Sequence, residues 1–130
     1  MTTKHYTSEE FVKVATLEYG VHWLEADGCS VVITVPEDAD RKRYGLRGSL
    51  DGSITVKGDG DGDARRHGAG GGDVVRDGDG DGYALRDGSG SGDAFRGGDG
   101  DGSGDAIRRG SGDGEAVHTG SGSGRALHLP

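Results

Sequence analysis

Between Gly58 and Leu129 the chain repeats one short unit seven times, beginning at Gly58, Gly68, Gly78, Gly88, Gly98, Gly110 and Gly120. The unit reads Gly-x-Gly-x-Gly-x-Ala-Φ-Arg-x, with Φ aliphatic or Phe. Ala64, Val74, Ala84, Ala94, Ala106, Ala116 and Ala126 fill the Ala column. Arg66, Arg76, Arg86, Arg96, Arg108, His118 and His128 fill the column two residues later. The fifth unit is twelve residues long, carrying an extra Ser103-Gly104. Because the insertion is two residues, every consensus glycine stays on an even number and every Φ on an odd one. A side-chain period of two belongs to strands, and a slip of one residue would invert both faces. Self-similarity at fixed period marks a stacked architecture.

A slower rhythm underlies the first. Units one, three and five carry Asp59/Asp61, Asp79/Asp81 and Asp99/Asp101, whereas units two, four and six carry Ala69/Gly71, Ser89/Ser91 and Ser111/Asp113. A period near twenty predicts two units per coil, with acidic turns on one edge and small-residue turns on the other. The apolar ladder Val75, Leu85, Phe95, Ile107, Val117 and Leu127 is expected to face inward as the core. The rival arrangement is a Gly-lined interior with Φ outside. The Arg column, near Asp77, Asp87 and Asp93, is the internal candidate for neutralising the acidic turns.

Glycine locates the boundary of this region. Of 29 glycines only five precede Lys57. Residues 1–57 therefore read as a small α+β head and 58–130 as a Gly-rich β-solenoid or β-roll, mainly β as a whole. In the head, Thr7-Ser8-Glu9-Glu10 has the form of a capping box, which predicts a helix from about Ser8 to Tyr19. Asp27-Gly28 and Asp51-Gly52 predict two hairpins, Val21–Glu25 with Cys29–Val35 and Tyr44–Leu50 with Ser53–Lys57. Trp23 and Cys29 read as core residues and Arg41-Lys42-Arg43 as a solvated loop.

The formal charge is −8, of which the repeat contributes −6. An acidic surface argues against ordinary binding to phosphate backbones, which needs clustered Lys and Arg. It favours basic protein surfaces or cations. A single cysteine excludes an internal disulfide framework. No apolar run approaches the ~20 residues of a membrane span. The MTTKHYTSEEF start has no secretory-signal pattern, so a cytoplasmic location is expected. No Ser-His-Asp or Cys-His setting recurs, and no Gly-rich phosphate loop with its Lys is present, so no enzymatic activity is expected.

Asp93-Ala94-Phe95-Arg96 after a Gly-rich turn resembles the repeats-in-toxin calcium β-roll, in which a Gly/Asp turn binds Ca²⁺ and an alternate apolar residue lines the core. The resemblance implies Asp63, Asp73, Asp93 and Asp105 as metal ligands. The family unit has nine residues, however, whereas this one has ten and places Gly directly before the Asp, and Tyr83 and Arg125 replace the acid in two units. The repeat is also similar in style to Gly-rich repeat proteins encoded by phages and prophages. That likeness implies an inhibitor of host or defence machinery, acting as a nucleic-acid mimic in the anti-CRISPR manner. The favoured expectation is a non-enzymatic acidic binding protein. Its partner would be a basic surface on a host or defence protein, met through Asp59, Asp61, Asp79, Asp81, Asp99 and Asp101. Homodimerisation through the head is a further expectation. The alternatives are a Ca²⁺-binding β-roll module and a flexible acidic tail.

Overall fold

The computed structural model describes residues 2–38, 40–97, 104–110, 112–119 and 124–129. It is a β-solenoid of about five turns with one short helix near its N-terminus. The elements are β1 (Thr3–Thr7), α1 (Ser8–Val14), β2 (Thr16–Glu18), β3 (Val21–Glu25), β4 (Ser30–Thr34), β5 (Lys42–Arg47), β6 (Ile54–Lys57), β7 (Gly62–His67), β8 (Val74–Asp77), β9 (Ala84–Asp87), β10 (Ala94–Gly97), β11 (Ala106–Arg109), β12 (Ala116–His118) and β13 (Ala126–Leu129). Odd and even strands separate into two sheets beyond the first turn. One sheet runs β1-β4-β6-β8-β10-β12 and the other β13-β11-β9-β7-β5-β3-β2.

The register bears out the slow rhythm. Ala64 lies opposite Ala84 and Val74 opposite Ala94, twenty residues apart. Across the inserted pair the offset becomes twenty-two, Ala84 opposite Ala106 and Ala94 opposite Ala116, and the columns stay aligned.

The predicted hairpins do not form. β3 pairs in parallel with β5, β4 with β6, β5 with β7 and β6 with β8. The turns at Gly28 and Gly52 carry the chain across to the opposite sheet instead of folding it back on its neighbour. Strand pairing therefore runs continuously through Lys57 and Gly58.

The helix starts where the capping box places it. The Glu10 amide donates to Thr7 Oγ1 (3.2 Å) and the Thr7 amide to Glu10 Oε1 (2.9 Å). It ends at Val14, short of Tyr19, because Thr16–Glu18 pairs antiparallel with β3. Strand pairing satisfies backbone groups that a last helical turn would leave open. Phe11, fully buried, packs edge-on between the rings of Tyr6 and Tyr44 at 5.6 and 5.8 Å, which seats the helix on the first coils.

The faces are the reverse of the inward Φ ladder. Ala64, Val74, Ala84, Ala94 and Ala106 are wholly buried, and so are Arg66, Arg76, Arg86 and Arg108, with Arg96 nearly so. Val75, Phe95, Ile107, Val117 and Leu127 lie half-exposed on the outer faces, and Leu85 is the most covered of that row. Each interior column changes chemistry along the axis. One runs Tyr6, Ile33, Val56, Arg76, Arg96, His118; the other runs Leu24, Leu46, Arg66, Arg86, Arg108, His128. The early coils have an ordinary apolar core of Val31, Ile33, Val35, Leu46, Ile54 and Val56, and the later ones a core of alanine and arginine.

The buried guanidiniums are satisfied by backbone oxygen and not by the Asp carboxylates. Arg76 donates from Nε to the Gly62 carbonyl (2.7 Å), from Nη2 to Gly60 (2.6 Å) and from Nη1 to Asp77 (2.6 Å). Arg86 repeats the pattern on Gly72 (3.0 Å), Gly70 (2.7 Å) and Asp87 (2.7 Å). Arg66, Arg96 and Arg108 do the same on Gly52/Leu50, Gly82/Gly80 and Gly92/Gly90. Burial pushes the pKa of Arg76 and Arg86 down to about 10, which leaves both charged at neutral pH. A planar group with five donors suits this role, since an unpaired buried carbonyl costs about 1–3 kcal/mol.

Glycine is required where turns of successive coils touch. A Cβ on Gly60 would lie 1.9 Å from the Pro36 carbonyl oxygen, and one on Gly82 would lie 1.7 Å from that of Gly62.

Candidate functional site

The acidic edge forms as a stack. The turn after β8 sits on the turn after β6, so close that a Cβ on Gly80 would meet the Gly60 carbonyl oxygen at 2.1 Å. Asp79 therefore lies over Asp59, and Asp81 over Asp61. Asp59 and Asp79 are exposed, and Asp61 and Asp81 half-buried. The Asp81 amide donates to Asp61 Oδ1 (2.8 Å), which fixes one carboxylate beneath the next rung. Rungs of a sheet lie ~4.8 Å apart, and like charges at that distance repel by about 0.9 kcal/mol even in water. Asp99 and Asp101, the remaining pair expected on this edge, lie outside the described residues.

The opposite edge carries the small residues. Asp51, Ser53, Ala69, Ser89, Ser91 and Asp113 border an open groove of about 690 Å³ floored by glycines.

The four carboxylates implied as calcium ligands each accept a backbone amide from the next coil. Asp63 accepts from the Tyr83 amide (3.0 Å), Asp73 from Asp93 (2.9 Å), Asp93 from Glu115 (2.9 Å) and Asp105 from Arg125 (3.0 Å). Each side chain ties the entry of one strand to the coil beyond it. Asp63 is buried and also takes Arg41 at 2.9 Å and Arg43 at 3.7 Å, so the Arg41-Lys42-Arg43 segment docks on the solenoid wall and is not a free loop. Among the described residues no group of three or more His, Cys, Asp or Glu is arranged to hold a metal ion.

The outer face of the second sheet carries a charged row that sequence reasoning missed. Glu25, Arg47, His67, Asp87 and Arg109 follow one another across β3, β5, β7, β9 and β11. Arg47 donates to Glu25 (2.8 Å) and reaches Glu18 (2.9 Å), while Asp87 sits between His67 (3.4 Å) and Arg109 (3.0 Å). The hydrogen bond from Arg109 holds the Asp87 carboxyl below its ordinary range, and Arg47 does the same for Glu18. The signal was present in the sequence as residues spaced by one coil, but the coil between β3 and β5 is twenty-two residues and not twenty, so Glu25 becomes the neighbour of Arg47 only in the structure.

Beside this row lies a recess of about 220 Å³. Val21, Trp23 and Leu85 give it apolar walls, Arg65, His67 and Asp87 a polar rim, and Tyr19 stands at its lip. Trp23 is half-buried on the outer face and not in the core. It lies flat over Gly45, where a Cβ would approach the indole to 2.4 Å. The Arg47 guanidinium sits 5.5 Å from the indole centroid, and Arg65 stands 5.3 Å over the Tyr83 ring while donating to its hydroxyl (2.8 Å). Cys29 is a half-buried free thiol. No helix among the described residues is long and apolar enough to cross a membrane. Comparison with protein-family models, curated proteins and solved structures returns no match.

Proposed function

We propose that this protein is a non-enzymatic acidic binding protein that occupies a basic surface of another protein, using the edge formed by Asp59, Asp61, Asp79 and Asp81. The observation that carries the reading is the division of charge between inside and outside. Five arginines are buried in the solenoid with their donors spent on backbone oxygen. Setting them aside together with the buried Asp63 takes the formal charge available for contact from −8 to −12. Asp59, Asp61, Asp79 and Asp81 remain on turns at the rim. Two carboxylates per rung of ~4.8 Å give one charge per ~2.4 Å along this edge, close to the one per ~1.7 Å of duplex DNA. A rigid row of that density is a substitute for a nucleic-acid backbone on a protein that binds one. A host or defence protein with a nucleic-acid cleft is the partner class that fits it.

The test is competition. The full chain is titrated into a complex of duplex DNA with a basic DNA-binding protein, from about 0.1 M to about 1 M salt, where the screening length falls from ~10 to ~3 Å. Displacement at low salt that fades at high salt supports the reading. The quadruple variant Asp59→Asn, Asp61→Asn, Asp79→Asn, Asp81→Asn keeps the side-chain acceptors and loses only charge, and it should fail to displace. Displacement that ignores both salt and the four substitutions would sink the idea.

A further inference from the structure

Tyr19 holds a conformation that its own fold does not explain. β2 and β3 are antiparallel neighbours joined by the two residues Tyr19-Gly20, with φ of 52° and 78°. A two-residue turn with positive φ at both positions takes Asn-Gly or Gly-Gly by preference, because Cβ crowds the backbone there and only glycine avoids that cost or a short polar side chain offsets it. Tyr19 is the only non-glycine residue with positive φ among the described residues. Its side chain gains nothing intramolecular in return, for the residue is 99% exposed. An aromatic ring is thus held out into solvent at the lip of a recess whose walls are Val21, Trp23 and Leu85.

We infer that the Tyr19 ring of one chain seats in the Trp23–Leu85 recess of a second copy, and reciprocally, in a two-fold dimer. Three observations favour a second copy over another occupant. First, the protruding ring and the recess lie in one patch, which is what an isologous interface needs, since each surface must present both halves of the contact. Second, the recess has the right size and chemistry. A cavity of ~150 Å³ accommodates benzene, so about 220 Å³ takes a phenol ring. A buried tyrosine hydroxyl needs a partner, and His67 and Asp87 stand at the rim. Third, the rim mixes Arg65, His67 and Asp87, so two copies meet here without the like-charge opposition that the Asp edges would impose. The recess is also preformed, with Trp23 pinned between Gly45 and the Arg47 guanidinium.

Trp23 is the single tryptophan of the chain and reports on its own pocket. The experiment is sedimentation velocity with tryptophan emission over a dilution series of the full chain, at high salt so that the acidic edge is screened. The parent should dimerise with concentration, and its emission should move to longer wavelength on dilution as the recess opens to water. Tyr19→Asn supplies the residue the turn prefers, so it should melt no lower than the parent while dimer affinity falls about thirtyfold or more, the scale of an aromatic hot spot. Leu85→Ala, in the opposite wall, should weaken association without unfolding the chain. A parent that sediments as a monomer throughout with constant emission overturns the inference. So does a Tyr19→Asn variant that dimerises as tightly as the parent. Neither result bears on DNA competition by the acidic edge, which is measured separately.

Discussion

Arg96 donates from Nη1 to the main-chain carbonyl of Arg76, 3.4 Å away and one coil earlier in the same interior column. Two like charges therefore sit in stacked register inside the protein, each with its hydrogen bonds made to peptide carbonyls and not to a carboxylate. Unpaired buried charge is costly, and here several charge-assisted hydrogen bonds per guanidinium offset that cost.

Arg76→Ala should lose about 4 kcal/mol or more, because it strips donors from the Gly60, Gly62 and Asp77 carbonyls and leaves a void. Arg76→Lys should still lose roughly 2 kcal/mol, since one ammonium cannot span acceptors that a planar fork reaches together. Urea denaturation measures both. A loss below about 1 kcal/mol for the alanine variant would mean that the carbonyls find water, and the interior would not be held as described.

Gly60→Ala and Gly28→Ala separate two uses of glycine. Gly60 has no positive φ, but a Cβ there would sit 1.9 Å from the Pro36 oxygen; Gly28 has φ of 89° and open space around it. The first should open the stack and lower the melting temperature steeply, while the second should cost only about 1 kcal/mol of backbone strain. Thermal melts followed by far-ultraviolet circular dichroism would reveal an equal response, which would contradict the close rung contact.

Ala84 and Phe95 test the facing of the strands. Ala84→Leu adds bulk to a wholly buried site and should destabilise by about 1–3 kcal/mol. Phe95→Thr lies on an outer face and should cost less than the ~3–5 kcal/mol of truncating a core phenylalanine. Chemical denaturation in which Phe95→Thr loses the full core-phenylalanine amount and Ala84→Leu loses nothing would restore the inward Φ ladder.

Acid should weaken the outer charged row. Arg109, then His67, holds Asp87 below its ordinary pKa of 3.8. A carboxylate depressed in the folded state contributes stability that is fully present above its unfolded pKa and is lost as pH falls through the folded value. Melting temperature should therefore be insensitive to Asp87 at neutral pH in its protonation, and fall below about pH 4. Asp87→Asn should shrink that acid-side fall. An unchanged acid limb in the variant would show that the row contributes nothing.

Periodicity made the coil legible. The even insertion at Ser103-Gly104 and the alternation of Asp and Ser turns imply two strands per turn, and the Ala64–Ala84 and Ala94–Ala116 pairings follow from them. Facing was not legible, because alternation says that Leu85 and Arg86 point opposite ways without saying which way is in. Apolarity favoured Leu85, but the ring of turn carbonyls pointing inward demands donors, and only the arginine column supplies them. The hairpins misled because Asp-Gly marks a sharp turn whether the chain returns beside itself or crosses to the facing sheet. Of the acidic edge, the stacking of Asp59 with Asp79 was legible from the period; the recess under Tyr19 was not, since it depends on Gly45 leaving room for an indole one coil away.

Arg76 reaches back sixteen and fourteen residues, to Gly60 and Gly62, and the turn beneath Arg96 offers the same pair of oxygens at Gly80 and Gly82. Each winding thus consumes what its predecessor exposes and exposes what its successor consumes. A gene segment encoding twenty residues can be duplicated or deleted here and leave every inner partner matched, so the molecule's length can evolve freely of its cross-section. A ten-residue change has no such freedom, for it would exchange the two flanks and set serines where the aspartates stand.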